Sequence, residues 1–218
     1  MNLKKVLKII GIILLVIVVF FVIHTTRNYI IITGLQNKIA KYSNSTNYYT
    51  KIASTESNGT VVTTRYYKKG NKEGVFLERN FNGDISKMSM YKNGENINIY
   101  WDDKGNKTAK LDSDSMISVQ IYNFTETDTN LQKILGSITA RIKTTNYNGK
   151  ECYVIKGFLT STVLTVEGTE VYIEKDTGLF VKAIEGDTIT EREYDFNNVD
   201  DKIFIEPDIS EYKLQENN

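Results

Sequence analysis

Three features of this 218-residue chain could carry chemistry: an Asp-Thr-Gly triplet, a single cysteine and a single histidine. Asp176-Thr177-Gly178 matches the triplet that presents the catalytic carboxylate in aspartic proteases. That chemistry needs two carboxylates sharing a proton, so a chain with one copy would have to dimerise. A three-residue match is common by chance, and glycine suits a turn with positive φ. We therefore interpret the triplet as a hairpin turn.

Cys152 follows Glu151 at the start of a predicted strand, and His24 borders an apolar run. A free cysteine in such a place is usually a small buried hydrophobe, so we predict a buried thiol. One histidine cannot build a multi-histidine metal site, and no acidic cluster has the spacing of an EF-hand loop. We predict no catalytic residue, no metal and no cofactor, and a protein that is not an enzyme.

The composition excludes two classes of protein. The chain contains 27 basic residues (Lys plus Arg) and 27 acidic residues (Asp plus Glu). It therefore lacks the excess of basic residues that is typical of nucleic-acid binders. A hydrophobic share of 40% with a single proline excludes a disordered chain. The length suits one domain of ordinary size with an appendage, and we predict no nucleic-acid partner.

The elements that would position these residues begin with an apolar segment. Residues 6–23 form an 18-residue stretch with one charge, Lys8, and further lysines precede it. Eighteen helical residues reach roughly 27 Å, close to a bilayer core of about 30 Å. The positive-inside rule then predicts a single-pass anchor in the cell membrane, with residues 1–23 as cytoplasmic tip and span and the rest extracellular.

A cleaved signal peptide is the alternative, because it also has a basic start and an apolar centre. It predicts small residues at the cleavage boundary, whereas this run ends in Phe20-Phe21-Val22-Ile23. We favour the uncleaved anchor. It leaves 24 bases against 27 acids outside the membrane, a net charge of −3.

Residues 24–29 are predicted to be a short linker, and 30–212 a β-rich extracytoplasmic domain with a polar tail at 213–218. The spacing of Ile31, Leu35 and Ile39 predicts an amphipathic helix at its start. From about residue 46 to residue 111 the pattern has period two, with turns at Gly70, Gly83, Gly94 and Gly105. This pattern predicts an antiparallel meander.

Alternation within the meander predicts one apolar and one solvated face. We name the apolar set the methionine face; it comprises Met88, Met90, Ile97, Ile99 and Trp101. Ile117, Val119 and Ile121 are predicted to lie nearby and to complete a ligand-binding set. Ser89, Asn98 and Tyr100 are predicted to lie on the solvated face. The sequence favours a solid core packed under helices for the methionine face, and the alternative is that it lines a groove for an acyl chain.

Further along, the pattern from Asp128 to Gly136 predicts a short helix, and Ile138, Ala140 and Ile142 alternate as a strand. Strands continue to about residue 199, giving roughly ten in all. The predicted class is α+β: an N-terminal transmembrane helix followed by a strongly curved antiparallel sheet, a half-barrel, with helices on its concave face.

The chain resembles lipoprotein-carrier proteins of the LolA/LolB type. The resemblance rests on the hairpin Val171-Tyr172-Ile173-Glu174-Lys175-Asp176-Thr177-Gly178-Leu179-Phe180-Val181-Lys182, on the later Tyr194-Asp195-Phe196, and on Ile203-Phe204-Ile205-Glu206-Pro207 near the end. It implies an open curved sheet with helices as a lid and an apolar cavity for lipid.

Two hypotheses follow from these residues. The first is a membrane-tethered bacterial domain that binds an apolar ligand, a lipid or a lipoprotein acyl chain. The second is a non-enzymatic interaction or sensing module with a protein partner in an envelope complex. An accessible groove favours the first, and a filled interior with an open sheet edge favours the second.

Overall fold

The computed structural model describes residues 3–113, 130–157 and 169–215. They form two compact units. The helical unit lies within Met1–Ala40 and Asn123–Leu179, and the sheet unit within Lys41–Tyr122 and Phe180–Asn218.

The helices are α1 (Leu3–Ile39) and α2 (Asn130–Thr139). The strands are β1 (Asn47–Thr55), β2 (Val61–Lys69), β3 (Lys72–Phe81), β4 (Asp84–Asn93), β5 (Asn96–Asp103), β6 (Asn106–Lys110), β7 (Arg141–Tyr147), β8 (Lys150–Lys156), β9 (Glu170–Glu174), β10 (Phe180–Glu185), β11 (Thr188–Phe196) and β12 (Lys213–Leu214). Short 3-10 turns lie at Asp201–Phe204 and Ile209–Glu211.

Helix α1 is one unbroken helix of 37 residues. Residues 24–29, predicted as a short linker, are helical, and they contain no glycine or proline that would interrupt the helix. The apolar segment is exposed along its length. The buried stripe further along comprises Asn28, Ile32, Leu35, Gln36 and Ile39. The predicted helix is therefore present, but its buried stripe passes through Ile32 in place of Ile31.

Side-chain hydrogen bonds from Asn28 and Lys38 help to hold α1 in the helical unit. The Asn28 side chain donates from Nδ2 to the carbonyl oxygens of Ser137, at 3.0 Å, and Ala140, at 2.7 Å. The Lys38 ammonium donates to the Lys175 carbonyl oxygen, next to the turn at Gly178. The first contact satisfies carbonyls that α2 leaves unpaired at its C-terminus.

Among the described residues, the sheet unit contains nine strands in the order β12-β6-β5-β4-β3-β2-β1-β11-β10. Successive strands β1 to β6 pair antiparallel, as the meander prediction requires. Two-residue turns such as Asn82-Gly83, at φ 52° and 90°, place both residues in the left-handed region that matches strand twist. In the helical unit, β7, β8 and β9 pair antiparallel in sequence.

These elements confirm the predicted class, α+β with an apolar helix ahead of a large open antiparallel sheet. Two boundaries differ from prediction. Ile138 lies in α2 and β7 begins at Arg141, because Ile134 and Ile138 also satisfy helical spacing. The predicted tail contributes β12, which pairs in parallel with β6 at Leu214 and Ala109. Predicted strands at 117–121 and 163–166 lie outside the described residues.

Candidate functional site

The five described residues of the methionine face lie on one side of β4 and β5. Met88 pairs with Trp101 and Met90 with Ile99 in the antiparallel register, so their side chains point to the same side. Ile97 and Ile99 are buried, at 7% and 4% exposed, while Met88, Met90 and Trp101 are half-buried. Ile117, Val119 and Ile121 fall outside the described residues.

Neighbouring strands continue this side of the sheet in two cross-strand rows. The inner row runs through Tyr66, Val75, Met90 and Ile99, and all of these but Met90 are buried. The second row, which we name the border row, comprises Ile52, Thr64, Leu77, Met88 and Trp101, all half-buried. The methionine face therefore changes from a closed core to partly open apolar surface within one row.

A charged group lies on the same side, beyond the inner row. The Glu73 carboxylate is buried, with Oε1 at 3.8 Å from the Nζ atoms of both Lys68 and Lys92. Its Oε2 accepts a hydrogen bond of 2.7 Å from the Tyr66 hydroxyl. Burial, and then this hydrogen bond, raise the pKa of Tyr66. The carboxylate is thus hydrogen-bonded and flanked by cations, as a buried charge must be.

The opposite side of these strands, which we name the tyrosine face, comprises Tyr49, Tyr67, Phe76, Tyr91 and Tyr100. The prediction that this side is solvated is wrong, because Tyr100 is only 4% exposed. The chain near residues 200–215 covers it. Glu206 Oε2 accepts hydrogen bonds from the Tyr100 hydroxyl, at 2.6 Å, and from Asn98 Nδ2, at 2.8 Å.

The rings of the tyrosine face form a continuous row. Their centroids are separated by 4.8 Å for Tyr49 and Tyr67, 5.6 Å for Tyr67 and Phe76, 5.5 Å for Phe76 and Tyr91, 5.7 Å for Tyr91 and Tyr100, and 5.1 Å for Tyr100 and Tyr212. Most of these contacts are edge-to-face, the geometry that aromatic quadrupoles favour.

Beside this row lies a cavity of about 330 Å³. Its lining comprises Phe76, Tyr91, Tyr100, Pro207 and Tyr212 with the charged Arg65, Glu78, Lys87 and Asp102, and it is also bordered by Ser89, Leu77, Met88 and Trp101. The volume falls within the range of about 300–1,000 Å³ that is typical of small-molecule sites.

We expect the stability of the sheet unit to fall at alkaline pH. Burial raises the pKa of Tyr48, Tyr66, Tyr91, Tyr100 and Tyr194, so the folded chain keeps protons that the unfolded chain releases near pH 10. Stability is therefore fully present below about pH 10 and is lost as pH rises above it. The fall in stability is measured as the midpoint of urea unfolding at a series of pH values between 8 and 11.5, with unfolding followed by Trp101 fluorescence.

Tyr66→Phe removes one of these titrating hydroxyl groups, so the urea midpoint of this variant should fall less steeply as pH rises. A urea midpoint that stays constant through this pH range, with tyrosinate absorbance rising in the folded chain, would contradict the prediction.

The residues first considered for chemistry occupy structural places. Cys152 is buried, and burial raises the pKa of its thiol, as expected for an inert cysteine. Asp176-Thr177-Gly178 is a hairpin turn between β9 and β10, with Gly178 at φ 74°. The Thr177 hydroxyl donates to Glu174 Oε2 at 2.9 Å. His24 Nε2 lies 3.1 Å from Asn28 Nδ2 on α1.

Comparison with known proteins gives structural neighbours only. No family model matches the chain, and no curated protein matches it. An uncharacterised conserved protein from Thermus thermophilus is 11% identical, with 83% of this chain and 97% of that one covered and a TM-score of 0.45. MucB in complex with the periplasmic part of MucA is 12% identical, covering 78% and 58%, with a TM-score of 0.36.

A LolA-superfamily protein from Nitrosomonas europaea is 10% identical, with 80% of this chain and 97% of that one covered and a TM-score of 0.26. Such identities and TM-scores assign neither ligand nor partner.

Proposed function

We propose that this chain is a membrane-tethered extracytoplasmic domain that binds an apolar ligand, a lipid or lipoprotein acyl chain, on the methionine face. The observation that carries the proposal is the border row. Three of its side chains are partly exposed to solvent: Leu77, Met88 and Trp101. Val75 and Ile99 lie directly beside them in the inner row and are buried.

The border row has the length and lining that an acyl chain needs. From Ile52 on β1 to Trp101 on β5 it crosses four strand spacings, roughly 19 Å. One acyl chain spans half of a bilayer core, about 15 Å. Methionine is unbranched and adaptable, so Met88 suits a ligand of variable shape. The ligand would cover apolar surface that is otherwise wet.

Helix α1 supports the tether. It is long and apolar enough to cross a membrane, and nothing in the described part of the chain covers its apolar segment. In this proposal the N-terminus is cytoplasmic and the sheet unit is extracellular. The mass of the protein isolated from its native membrane tests the tether. We expect the full 24.9 kDa, whereas loss of about the first 25 residues would identify a cleaved signal peptide.

Trp101, the only tryptophan of the chain, tests ligand binding directly. We expect a brominated long-chain fatty acid to quench its fluorescence saturably in the full-length protein held in nanodiscs, because the bromine must contact the indole. Met88→Asp places a carboxylate opposite Trp101 and should weaken this quenching about tenfold or more, by the cost of a charge against an acyl chain.

Ser89→Asp is the matched control, since Ser89 is the next residue, is equally half-buried and faces the other way. It should leave the quenching titration unchanged. Quenching that is lost in Ser89→Asp but kept in Met88→Asp would place the ligand on the tyrosine face. Quenching that never saturates would argue against a site at all.

A protein-interaction module is the second candidate, favoured by the edge of β7. Within the described residues β7 pairs only with β8, which leaves a row of backbone groups available to a partner strand. Thr144→Pro removes a backbone donor from β7 and would weaken such a complex. Capture of lipid without any protein partner would favour the first candidate.

Both candidates are binding functions without catalysis. Asp176 is the one carboxylate that the sequence offers for hydrolysis, and it lies in the β9–β10 turn. Any hydrolytic activity that persists in Asp176→Asn would exclude this residue as its source.

A further inference from the structure

We infer that α2 is a second membrane contact, which inserts its apolar side into the interfacial region of the bilayer that α1 crosses. The inference rests on the proposed anchor and adds a surface to it. Three large apolar side chains of α2 are exposed: Leu131 at 66%, Ile134 at 44% and Leu135 at 50%. Their spacing of i, i+3 and i+4 places them on one side of the helix.

The opposite side of α2 is the one that packs within the helical unit. Gly136 and Ser137 are buried, and the Ser137 carbonyl accepts a hydrogen bond from Asn28 of α1. Helix α2 therefore has two different sides: its small residues face α1, and its large apolar residues face outward. In a soluble domain, an outward cluster of this kind marks a surface that something covers.

The position of α2 identifies the bilayer as that covering. Asn28 lies five residues after Ile23, where the apolar run of α1 ends, a rise of roughly 8 Å. Leu135 is two residues from Ser137, and Leu131 is less than two turns from it. The exposed side chains thus lie on an element that is attached to α1 about 8 Å beyond the end of its apolar run, which is within the reach of the headgroup region.

The charge of α2 agrees with this placement. The helix contains no acidic residue and one basic residue, Lys133, so anionic headgroups would not repel it. Interfacial helices bury such an apolar side about 5–10 Å into the boundary between headgroups and acyl chains.

Depth-dependent quenching in the full chain tests the inference. Single bimane labels are placed by Val16→Cys in α1, Leu135→Cys in α2 and Ile189→Cys in β11, in nanodiscs of phosphatidylcholine and phosphatidylglycerol with or without doxyl lipid. Cys152 is buried, and the unsubstituted protein gives its background labelling. Ile189 is the matched control, because it is an exposed apolar residue on another element, at 38%.

We expect doxyl lipid to quench Val16 and Leu135 labels by about twofold or more and to leave the Ile189 label unchanged. Leu131→Cys repeats the α2 measurement if Leu135→Cys fails to fold. Quenching at Val16 without quenching at either α2 site overturns this inference and leaves the anchor intact. No quenching at Val16 overturns the anchor, and the proposed tether with it.

A third result identifies another occupant. If the α2 labels are protected from aqueous iodide but ignore doxyl lipid, a second copy of the chain covers the helix, and the membrane contact is overturned. Quenching of Ile189 to the same degree as Leu135 also overturns it, since the contact would then have no specificity for α2.

Discussion

Replacing Gly178 by alanine is expected to lower the free energy of unfolding of the helical unit by about 2–5 kcal/mol. Gly178 has φ 74°, a conformation that costs an L residue about 1–2 kcal/mol. In addition, a Cβ there would collide with the Leu35 carbonyl oxygen and lie 3.1 Å from the Ile39 backbone nitrogen. Overpacking of this kind adds about 1–3 kcal/mol.

Gly94→Ala separates the two costs. Gly94 has a similar φ of 67°, but a Cβ there has no atom within 4 Å. We expect this control to cost only about 1–2 kcal/mol. Hydrogen exchange of the β8 and β9 amides measures the Gly178 effect, because these strands belong to the helical unit, and exchange of the β4 and β5 amides, which flank Gly94 in the sheet unit, measures the control. Equal losses in the two variants would show that α1 does not press against the turn.

Asn28→Ala should have the second largest effect, a loss of about 2–3 kcal/mol. The Asn28 amide supplies hydrogen bonds to two buried carbonyls, those of Ser137 and Ala140. Without it both acceptors stay dry and unpaired, and α1 loses its contact with the end of α2. Asn28→Asp should be no better, since a carboxylate would face the same two oxygens.

Asn37→Ala is the control, because it makes the same change on an exposed position of the same helix. It should be neutral or slightly stabilising, since alanine has the higher helix propensity. Hydrogen exchange of the α2 amides at Gly136 to Thr139 measures the loss. If Asn28→Ala and Asn37→Ala behave alike, the hydrogen bonds of Asn28 contribute nothing to the docking of α1.

Local patterns predicted the sheet well. Turns such as Asn82-Gly83 need positive φ at two successive residues, and few residue pairs other than Asn-Gly supply it. The register that follows from these turns places Met88 opposite Trp101. The alternation of apolar and polar residues was therefore enough to predict that the methionine face lies on one side of the sheet. Alternation within one strand could not show which side chains of the methionine face remain exposed, because their exposure depends on how cross-strand rows pack over several strands.

Long-range contacts account for what the sequence concealed. Tyr100 looked like a solvated residue because tyrosine is amphipathic, and its covering partner Glu206 is more than a hundred residues away. The polar segment after Ile23 looked like a linker, but residues 24–29 continue α1 as helix. Asn28 gave no signal as a buried residue, since its acceptors at Ser137 and Ala140 lie far along the chain.

The continuity of α1 gives the junction a mechanical property. If α1 spans the membrane as proposed, a flexible tether would let the helical unit swivel, whereas a rigid helical stem would make the position of that unit depend on the angle at which α1 crosses the bilayer. From residue 24 to residue 39 the stem extends about 24 Å, so a change in tilt of about 20° displaces its end sideways by roughly 8 Å. In the proposed anchor, membrane thickness, which influences helix tilt, would thereby be converted into lateral movement outside the membrane.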